Sequence, residues 1–281
     1  MTESNYSAEM LIKVKQQKEK NSKRLAELQK QILANRKVPI PLPGDTRTAL
    51  QLLTREKRIE RFQSLANIDS LTGLSNKRFF KQLLPLELAR VRRGKPLAVI
   101  AGDMQDLKRI NDSFGHNVGD LAIQAVAVGM TKTVRDTDTA AHLSGDEFAA
   151  LLPDISSQHE ENRPGYATEK EASAAVALRI CHAIQKQPLI VPEQSTPLHV
   201  QMDIGIAVAD KQDTPETILK RADEAMYRMK RLNKQTDNSH RSSIVIATVE
   251  DGQSVFDRAS FGEDGHSIVF ERLLNGIVEK E

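Results

Sequence analysis

Residues 140–152 read AAHLSGDEFAALL, two apolar segments joined by a short polar turn that contains Gly145. Apolar segments of this length on both sides of a turn glycine predict two β-strands. Asp146 and Glu147 fall in or beside the turn, a position that projects side chains from the edge of a sheet. These two acidic residues are the first candidates for chemistry in the chain.

Strands and helices alternate outward from this pair of strands. The patterns predict further strands at 96–104, 200–209 and 243–249, and helices at 118–134, 172–184 and 215–231. This mixed order predicts an α/β (α+β) fold, in which helices pack against a central sheet. The polar residues 156–168 are predicted to form a surface loop.

A third acidic residue, Asp103, ends the apolar strand predicted at 96–104. An unpaired carboxylate there is costly to bury unless it binds a cation. If this strand neighbours the pair at 140–152, three carboxylates converge. Hard oxygen ligands suit Mg²⁺, and two such ions about 3.5–4 Å apart stabilise the attacking and leaving oxygens of phosphoryl transfer. Taken alone, however, the three acids are better explained as ordinary turn residues.

Five segments that follow one another along the chain are more specific than any of these patterns. They read DSLTGLSNKR at 69–78, DMQDLKRIND at 103–112, GHNVGD at 115–120, SGDEF at 144–148 and ADEAMYRMK at 222–230. Together they resemble the GGDEF diguanylate cyclase family over roughly residues 67–249. The resemblance implies a palm-like sheet that contains antiparallel strands, and an enzyme that condenses two GTP molecules into cyclic di-GMP and two pyrophosphates.

The resemblance also implies a set of metal ligands. Asp103, the main-chain carbonyl of Met104, Asp146 and Glu147 match positions that hold Mg²⁺, two ions in each half-site, with Mn²⁺ as an alternative. Asp146 and Glu147 also match the residues that activate the attacking 3′-hydroxyl, and how they divide the duties of ligand and base is left open. Lys108 completes the implied catalytic set.

A second implied set of residues binds the substrate, GTP. Asn111 and Asp120 match the pair that hydrogen-bonds the guanine edge. A carboxylate acceptor suits the N1–H and exocyclic amine of guanine, which adenine cannot present in that arrangement. Gly145 is expected where a side chain would crowd the nucleotide. The cations that match triphosphate contacts are Lys108, Lys230 and, more loosely, Lys234.

Dimerisation and control by product are further implications of the resemblance. In this family each domain holds one GTP and two domains face each other, so a homodimer is expected. A dimerising N-terminal helix would set the effective concentration of the two halves. Nine residues before Ser144, Arg135 opens an RxxD string that ends at Asp138. The two residues match an inhibitory site for cyclic di-GMP, although an isolated RxxD string is usually only a solvated ion pair.

The chain departs from the family pattern at several positions. Ser144 replaces the first glycine of the signature, Gln105 stands where a second aspartate is usual, and Asp203 stands where serine is usual. The other departures are Leu107 for phenylalanine, His142 for arginine and Asn233-Lys234-Gln235 for Gly-Arg-Asn. None removes an implied metal ligand or guanine contact. Activity is therefore expected, with its rate left open.

Outside 67–249 the expectations concern structure and partners. Residues 1–66 are predicted to be helical, with a weak heptad seam compatible with a coiled coil or a packed amphipathic helix, and with a proline-rich connector at 38–44. They hold 14 Lys and Arg against 7 Asp and Glu, which indicates a solvated helix face more than a nucleic-acid or membrane contact. An apolar stripe within 250–281 predicts a docked amphipathic helix. Its members are Phe270, Leu273, Leu274, Ile277 and Val278.

The composition is typical of a soluble globular protein, with 39% hydrophobic and 28% charged residues. No apolar run approaches the roughly 20 residues that cross a bilayer, and the N-terminus lacks the apolar region of a signal peptide. With one cysteine, Cys181, no internal disulfide can form, so a cytoplasmic setting is expected. Three functions remain open: a diguanylate cyclase, a cyclic di-GMP receptor, and a scaffold that binds a protein partner through its terminal helices. The intact acidic residues favour the cyclase.

Overall fold

The computed structural model describes residues 67–155, 168–191, 197–235, 244–261 and 268–273. The side chains of residues 234, 235 and 261 are not part of this description. The predicted coiled coil and connector in 1–66, and all but the last residue of the loop predicted at 156–168, lie outside the described residues.

Strands and helices alternate through the described chain. The strands are β1 (Ser75–Asn76), β2 (Leu97–Met104), β3 (Thr139–Ser144), β4 (Glu147–Pro153), β5 (Met202–Val208), β6 (Ile244–Glu250), β7 (Gln253–Phe261) and β8 (Ile268–Arg272). The helices are α1 (Lys77–Val91), α2 (Leu107–Phe114), α3 (His116–Thr133), α4 (Glu169–Gln185) and α5 (Pro215–Gln235). Of these described helices, none has the length and apolar character needed to span a bilayer.

The strands form one mixed sheet in the order β1-β3-β4-β2-β5-β6-β7-β8. The pairs β1–β3 and β5–β6 are parallel, and the other neighbours are antiparallel. The predicted α/β fold is confirmed. The strands predicted at 96–104, 140–152, 200–209 and 243–249 correspond to β2, to β3 and β4, to β5 and to β6.

Strand β2 lies in the middle of the sheet and supplies side chains to both faces. Ala98 and Ile100 pack into a core formed with α3 and α4. Leu97, Val99 and Ala101 point the other way, into a core formed with α1 and α5. Alternation of side chains is the rule in a strand, and because both faces of β2 are covered its sequence is apolar at nearly every position.

The helix predicted near the C-terminus is wrong where the structure describes it. Phe270 lies in β8, which pairs with β7. Arg272 of β8 reinforces the pairing, because its guanidinium donates to Asp257 of β7 at 2.8 Å and to Glu250 of β6 at 3.0 Å. These long-range bonds outweigh a helical spacing of apolar residues. The rest of the predicted helix, 274–278, lies outside the described residues.

A buried histidine holds the turn between β3 and β4. The Nδ1 atom of His142 lies 2.9 Å from the Asp69 carboxylate, and its Nε2 atom lies 3.0 Å from the carbonyl oxygen of Gly145. Both neighbours are acceptors, so the protonated imidazolium donates to both. Burial disfavours this cation, but the bonds to Asp69 and Gly145 outweigh burial and raise the pKa of His142. Burial raises the pKa of Asp69 as well, yet the bonds from His142 and Thr72 lower it to about 2.

We expect His142→Gln to destabilise the fold more at low pH than at high pH. A raised pKa means that the stabilisation is fully present below the unfolded value of about 6.5 and is lost as pH rises through the folded value. The expected cost is on the order of 1–3 kcal/mol at about pH 5.5 and smaller at about pH 9. Urea unfolding at both pH values measures it.

Two conditions make this comparison specific. Stability from the lowered pKa of Asp69 is present above about pH 4 and lost as pH falls toward about 2, so both measurements stay clear of that range. The exposed His182 provides a control, His182→Gln, which should change stability little. A cost for His142→Gln that is equal at the two pH values would show that folding does not shift the pKa of His142 and would contradict the charged pair with Asp69.

Candidate active site

Strand pairing brings the three predicted acidic positions to one end of the sheet. In the antiparallel register of β2 and β4, Asp103 lies opposite Glu147. The backbone N–H of Met104 donates to the carbonyl oxygen of Asp146 at 2.8 Å. The strands that carry the acids are therefore neighbours, which is the condition that the sequence left open.

Asp103 is a partly buried acid that is paired with a lysine. Only 14% of its side chain is exposed, and its carboxylate lies 2.8 Å from the ammonium group of Lys230 on α5. Burial raises the pKa of Asp103 in spite of Lys230, and the negative charges of Asp146 and Asp203 add to the increase. Burial and the neighbouring charges both disfavour the ionised carboxylate, and a cation bound at this corner would favour it.

The donor chemistry of this corner suits a hard divalent cation. Carboxylate and main-chain carbonyl oxygens are the ligands that Mg²⁺ prefers, and Asp103, Met104, Asp146 and Glu147 offer both kinds. Among the described residues, no three acidic, His or Cys side chains already stand close enough to hold an ion. Lys230 is the counter-ion of Asp103 in this arrangement.

The signature turn carries two interactions that involve Glu147. The hydroxyl of Ser144 donates to the Glu147 carboxylate at 2.8 Å, so this departure from the family pattern places a donor on an implied catalytic acid. On α5, partial desolvation and the charge of Glu147 raise the pKa of Asp223. Sequence reasoning gave Asp223 no role, although it lies in one of the five segments. Gly145 has φ +51°, a left-handed conformation that favours glycine.

The predicted guanine-binding residues lie on two successive helices. Asn111 is on α2 and Asp120 is on α3, beyond the left-handed Gly115. Gly119 packs directly on the Asn111 side chain: a Cβ atom at residue 119 would lie 1.9 Å from Asn111 Oδ1. The missing side chain at Gly119 is therefore what lets Asn111 lie beside the start of α3.

The predicted phosphate-binding lysines are distributed over two helices. Lys108 is exposed in the first turn of α2, where backbone N–H groups have no acceptor within the helix. That helix begins after Asp106, a left-handed residue with φ 60°. Lys230 is on α5 and reaches Asp103. Lys234 lies in the last turn of α5, and its side chain is outside the description.

The RxxD residues form a closed pair near the end of β4 that is opposite the signature turn. Arg135 donates to the Asp138 carboxylate through its backbone N–H at 2.7 Å and through its guanidinium at 3.1 Å. The guanidinium also donates to the carbonyl oxygen of Pro153 at 3.0 Å. The Asp138 side chain is only 1% exposed, so a ligand does not reach this carboxylate while the pair is closed.

Comparisons with known proteins show the family of the chain. Residues 66–236 match the family described as "Diguanylate cyclase, GGDEF domain". The chain is 34% identical over 168 residues to the response regulator PleD of Caulobacter vibrioides, an alignment that covers 59% of this chain and 34% of PleD. It is 36% identical over 171 residues to the diguanylate cyclase TpbB of Pseudomonas aeruginosa, covering 59% of this chain and 35% of TpbB. The chain thus spans about a third of the length of these relatives.

A solved structure shares the fold. The coiled coil and GGDEF domain of DgcB from Caulobacter crescentus superposes with a TM-score of 0.56 at 21% identity, covering 66% of this chain and 91% of that one. The family match extends over more than half of the chain and includes the strands, the turn and the helices that carry the acids and lysines described above. The chain belongs to the GGDEF-domain family.

Proposed function

We propose that this chain is a diguanylate cyclase that condenses two GTP molecules into cyclic di-GMP and releases two pyrophosphates. The observation that carries the proposal is the register of β2 and β4, which sets Asp103 opposite Glu147 beside the ammonium group of Lys230. Membership of the GGDEF family and the name of the relative TpbB, a diguanylate cyclase, support it.

Metal binding is assigned to the acidic end of the sheet. Asp103, the carbonyl of Met104, Asp146 and Glu147 would hold Mg²⁺, two ions in each half-site, and the same oxygen donors accept Mn²⁺. When bound, such ions polarise the phosphate and stabilise the attacking and leaving oxygens. Burial, with smaller contributions from the charges of Asp146 and Asp203, raises the pKa of Asp103, and a bound cation would stabilise its ionised form.

The remaining residues bind and orient the nucleotide. Asn111 and Asp120 would hold the guanine edge, with the carboxylate accepting from N1–H and the exocyclic amine. Lys108, Lys230 and Lys234 would meet the phosphate oxygens and the charge that develops on them. The first-turn N–H groups of α2 add donors for the same phosphates.

The reaction requires two copies of the domain. The 3′-oxygen of one GTP attacks the α-phosphorus of the other, the bond to pyrophosphate breaks, and Asp146 or Glu147 accepts the hydroxyl proton. The same attack by the 3′-oxygen of the second GTP on the α-phosphorus of the first closes the ring of cyclic di-GMP and releases the second pyrophosphate. One domain therefore supplies half a site, and we propose that residues 1–66, the N-terminal segment ahead of the GGDEF domain at 67–249, hold two copies together.

Product inhibition through Arg135 and Asp138 is proposed with one structural condition. A cyclic di-GMP guanine can engage both residues only after the guanidinium releases Asp138 and the Pro153 carbonyl. Arg135 then offers paired donors to guanine or phosphate, and Asp138 accepts from the base edge. A receptor that bound cyclic di-GMP through this pair would meet the same condition.

Replacing either acid should abolish synthesis without unfolding the protein. We expect Asp103→Asn and Glu147→Gln each to lower the rate at least about 100-fold, measured as cyclic di-GMP and pyrophosphate formed from GTP and Mg²⁺. Thermal unfolding checks the fold, and Glu216→Gln, on the exposed start of α5, should keep wild-type activity. Substantial turnover by either acid variant would contradict the metal assignment, and no product from wild type would contradict the function.

Gly119→Ala should weaken GTP binding through Asn111. The added methyl group would displace the Asn111 amide, so we expect the KM for GTP to rise by about tenfold or more. The matched control is Gly129→Ala in the same helix, which presses on Ile184 in the core. The control should lower the melting temperature with little change in KM. Equal effects of the two variants on KM would remove Asn111 from the guanine site.

Arg135→Ala should relieve a stall in product formation. We expect wild-type progress curves to flatten as cyclic di-GMP accumulates and the variant curve to continue from the same initial rate. Because Arg135→Ala leaves Asp138 buried without its guanidinium, Arg135→Lys provides a variant that keeps a cation there but cannot bind in a bidentate way. Calorimetric titration with cyclic di-GMP accompanies the assay. Identical plateaus and no binding by wild type would make this RxxD a structural ion pair.

A further inference from the structure

A buried carboxylate on β5 joins two segments that flank the candidate site. Asp203 is 5% exposed. Its Oδ1 atom accepts from the amide of Gln105 at 2.8 Å and from the amide of Asn233 at 2.6 Å. Gln105 follows β2, and Asn233 lies in the last turn of α5. One oxygen therefore links β5 to the segment before α2 and to the end of α5.

Each amide lies next to a residue of the candidate site. Gln105 is two residues beyond Asp103, and its backbone N–H also donates to the carbonyl of Gln201 at 2.9 Å. Asn233 is three residues beyond Lys230, about one helical turn away. The Nζ atom of Lys230 lies 2.8 Å from Asp103. The bonds to Asp203 thus join two segments that the Lys230–Asp103 ion pair also joins.

A buried carboxylate such as Asp203 is chemically suited to holding two segments together. Burial of a carboxylate is costly unless hydrogen bonds compensate, and bonds to an ionised acceptor are stronger than neutral ones. Both amides direct N–H groups at the same oxygen, which a carboxylate accommodates. The Asp203–Asn233 bond would remain when Lys230 leaves Asp103 to meet a phosphate, because it does not use the ammonium group.

We infer that Asp203 is a positioning residue for nucleotide binding: through Gln105 and Asn233 it holds the end of α5 against the β2–α2 segment. This keeps Lys230 and Lys108 at positions from which both would bind the same triphosphate. The inference rests on the proposed function for the identity of the nucleotide. All three residues are departures from the family pattern, and they meet at one point. An acid missing at residue 105 is present instead at residue 203, on the neighbouring strand.

The test measures by calorimetry the affinity for a non-hydrolysable GTP analogue in the presence of Mg²⁺. The affinity is compared among variants of this chain. We expect Asp203→Ser to weaken binding by about tenfold, which corresponds to ~1.4 kcal/mol. The exchange variant Gln105→Asp with Asp203→Asn, which returns the acid to residue 105, should restore affinity to within about threefold of wild type. If Asp203→Ser does not fold, Asn233→Ala should show the same loss, because it removes one of the two bonds.

A matched buried carboxylate separates positioning from stability. Asp257 on β7 accepts from Lys170 at 2.5 Å and from Arg272 at 2.8 Å, two strands beyond β5 in the sheet. Asp257→Asn should lower the melting temperature and leave affinity for the analogue unchanged. If Asp203→Ser lowers only the melting temperature, as Asp257→Asn does, or if the exchange variant binds as weakly as Asp203→Ser, the inference is overturned.

The proposed function is judged by a different measurement. Wild type that binds the analogue but forms no cyclic di-GMP would contradict the cyclase and leave the role of Asp203 to the binding data. Wild type that fails to bind the analogue would overturn the inference itself.

Discussion

The pairing of β2 with β4 is the constraint on which the core and the candidate site both depend. β2 is hydrogen-bonded on both sides, and its alternate side chains enter two separate cores. A slip of one residue would send Ile100 to the wrong core and exchange the two faces of the strand. The register that prevents this slip also sets Asp103 opposite Glu147. The carboxylates are brought together by apolar packing. Attraction between the acids plays no part in it.

Gathering acids at one end of a sheet is electrostatically unfavourable, and the structure offsets it at three of these acids by different means. Asp103 is paired with Lys230, Glu147 accepts from the Ser144 hydroxyl, and Asp203 accepts from two amides. The first two donors are partly or fully exposed and can turn away. Under the proposed function, a divalent cation would compete with Lys230 for the Asp103 carboxylate, and a triphosphate would give the displaced ammonium group a new partner. Asp203 itself is buried and would lose two hydrogen bonds by turning away, which makes its carboxylate the most constrained of the three.

Sequence patterns predicted the parts of the structure that depend on local periodicity. β2 is a run of apolar residues, and the segment around Gly145 has a turn between apolar strands, so both were predicted correctly. The C-terminal strand was not, because the spacing of Phe270 and Leu273 suits a helix while the bonds from Arg272 to Asp257 and Glu250 are long-range. The hydrogen bonds of the Asp203 cluster could not be predicted from the sequence for the same reason. Its hydrogen bonds join residues 98 and 30 positions apart, and no pattern along the chain links them.

The geometry of Arg135 and Asp138 sets a condition on the proposed product site. Asp138 is buried, and Arg135 donates hydrogen bonds to it and to the carbonyl of Pro153. If opening this pair costs about 3 kcal/mol, in the range for charged hydrogen bonds, the open form is roughly one molecule in 150. The apparent affinity for a ligand that binds only the open form falls by the same factor. A product-binding site built on this pair would therefore respond only when cyclic di-GMP is abundant, so inhibition would begin later than the motif alone suggests.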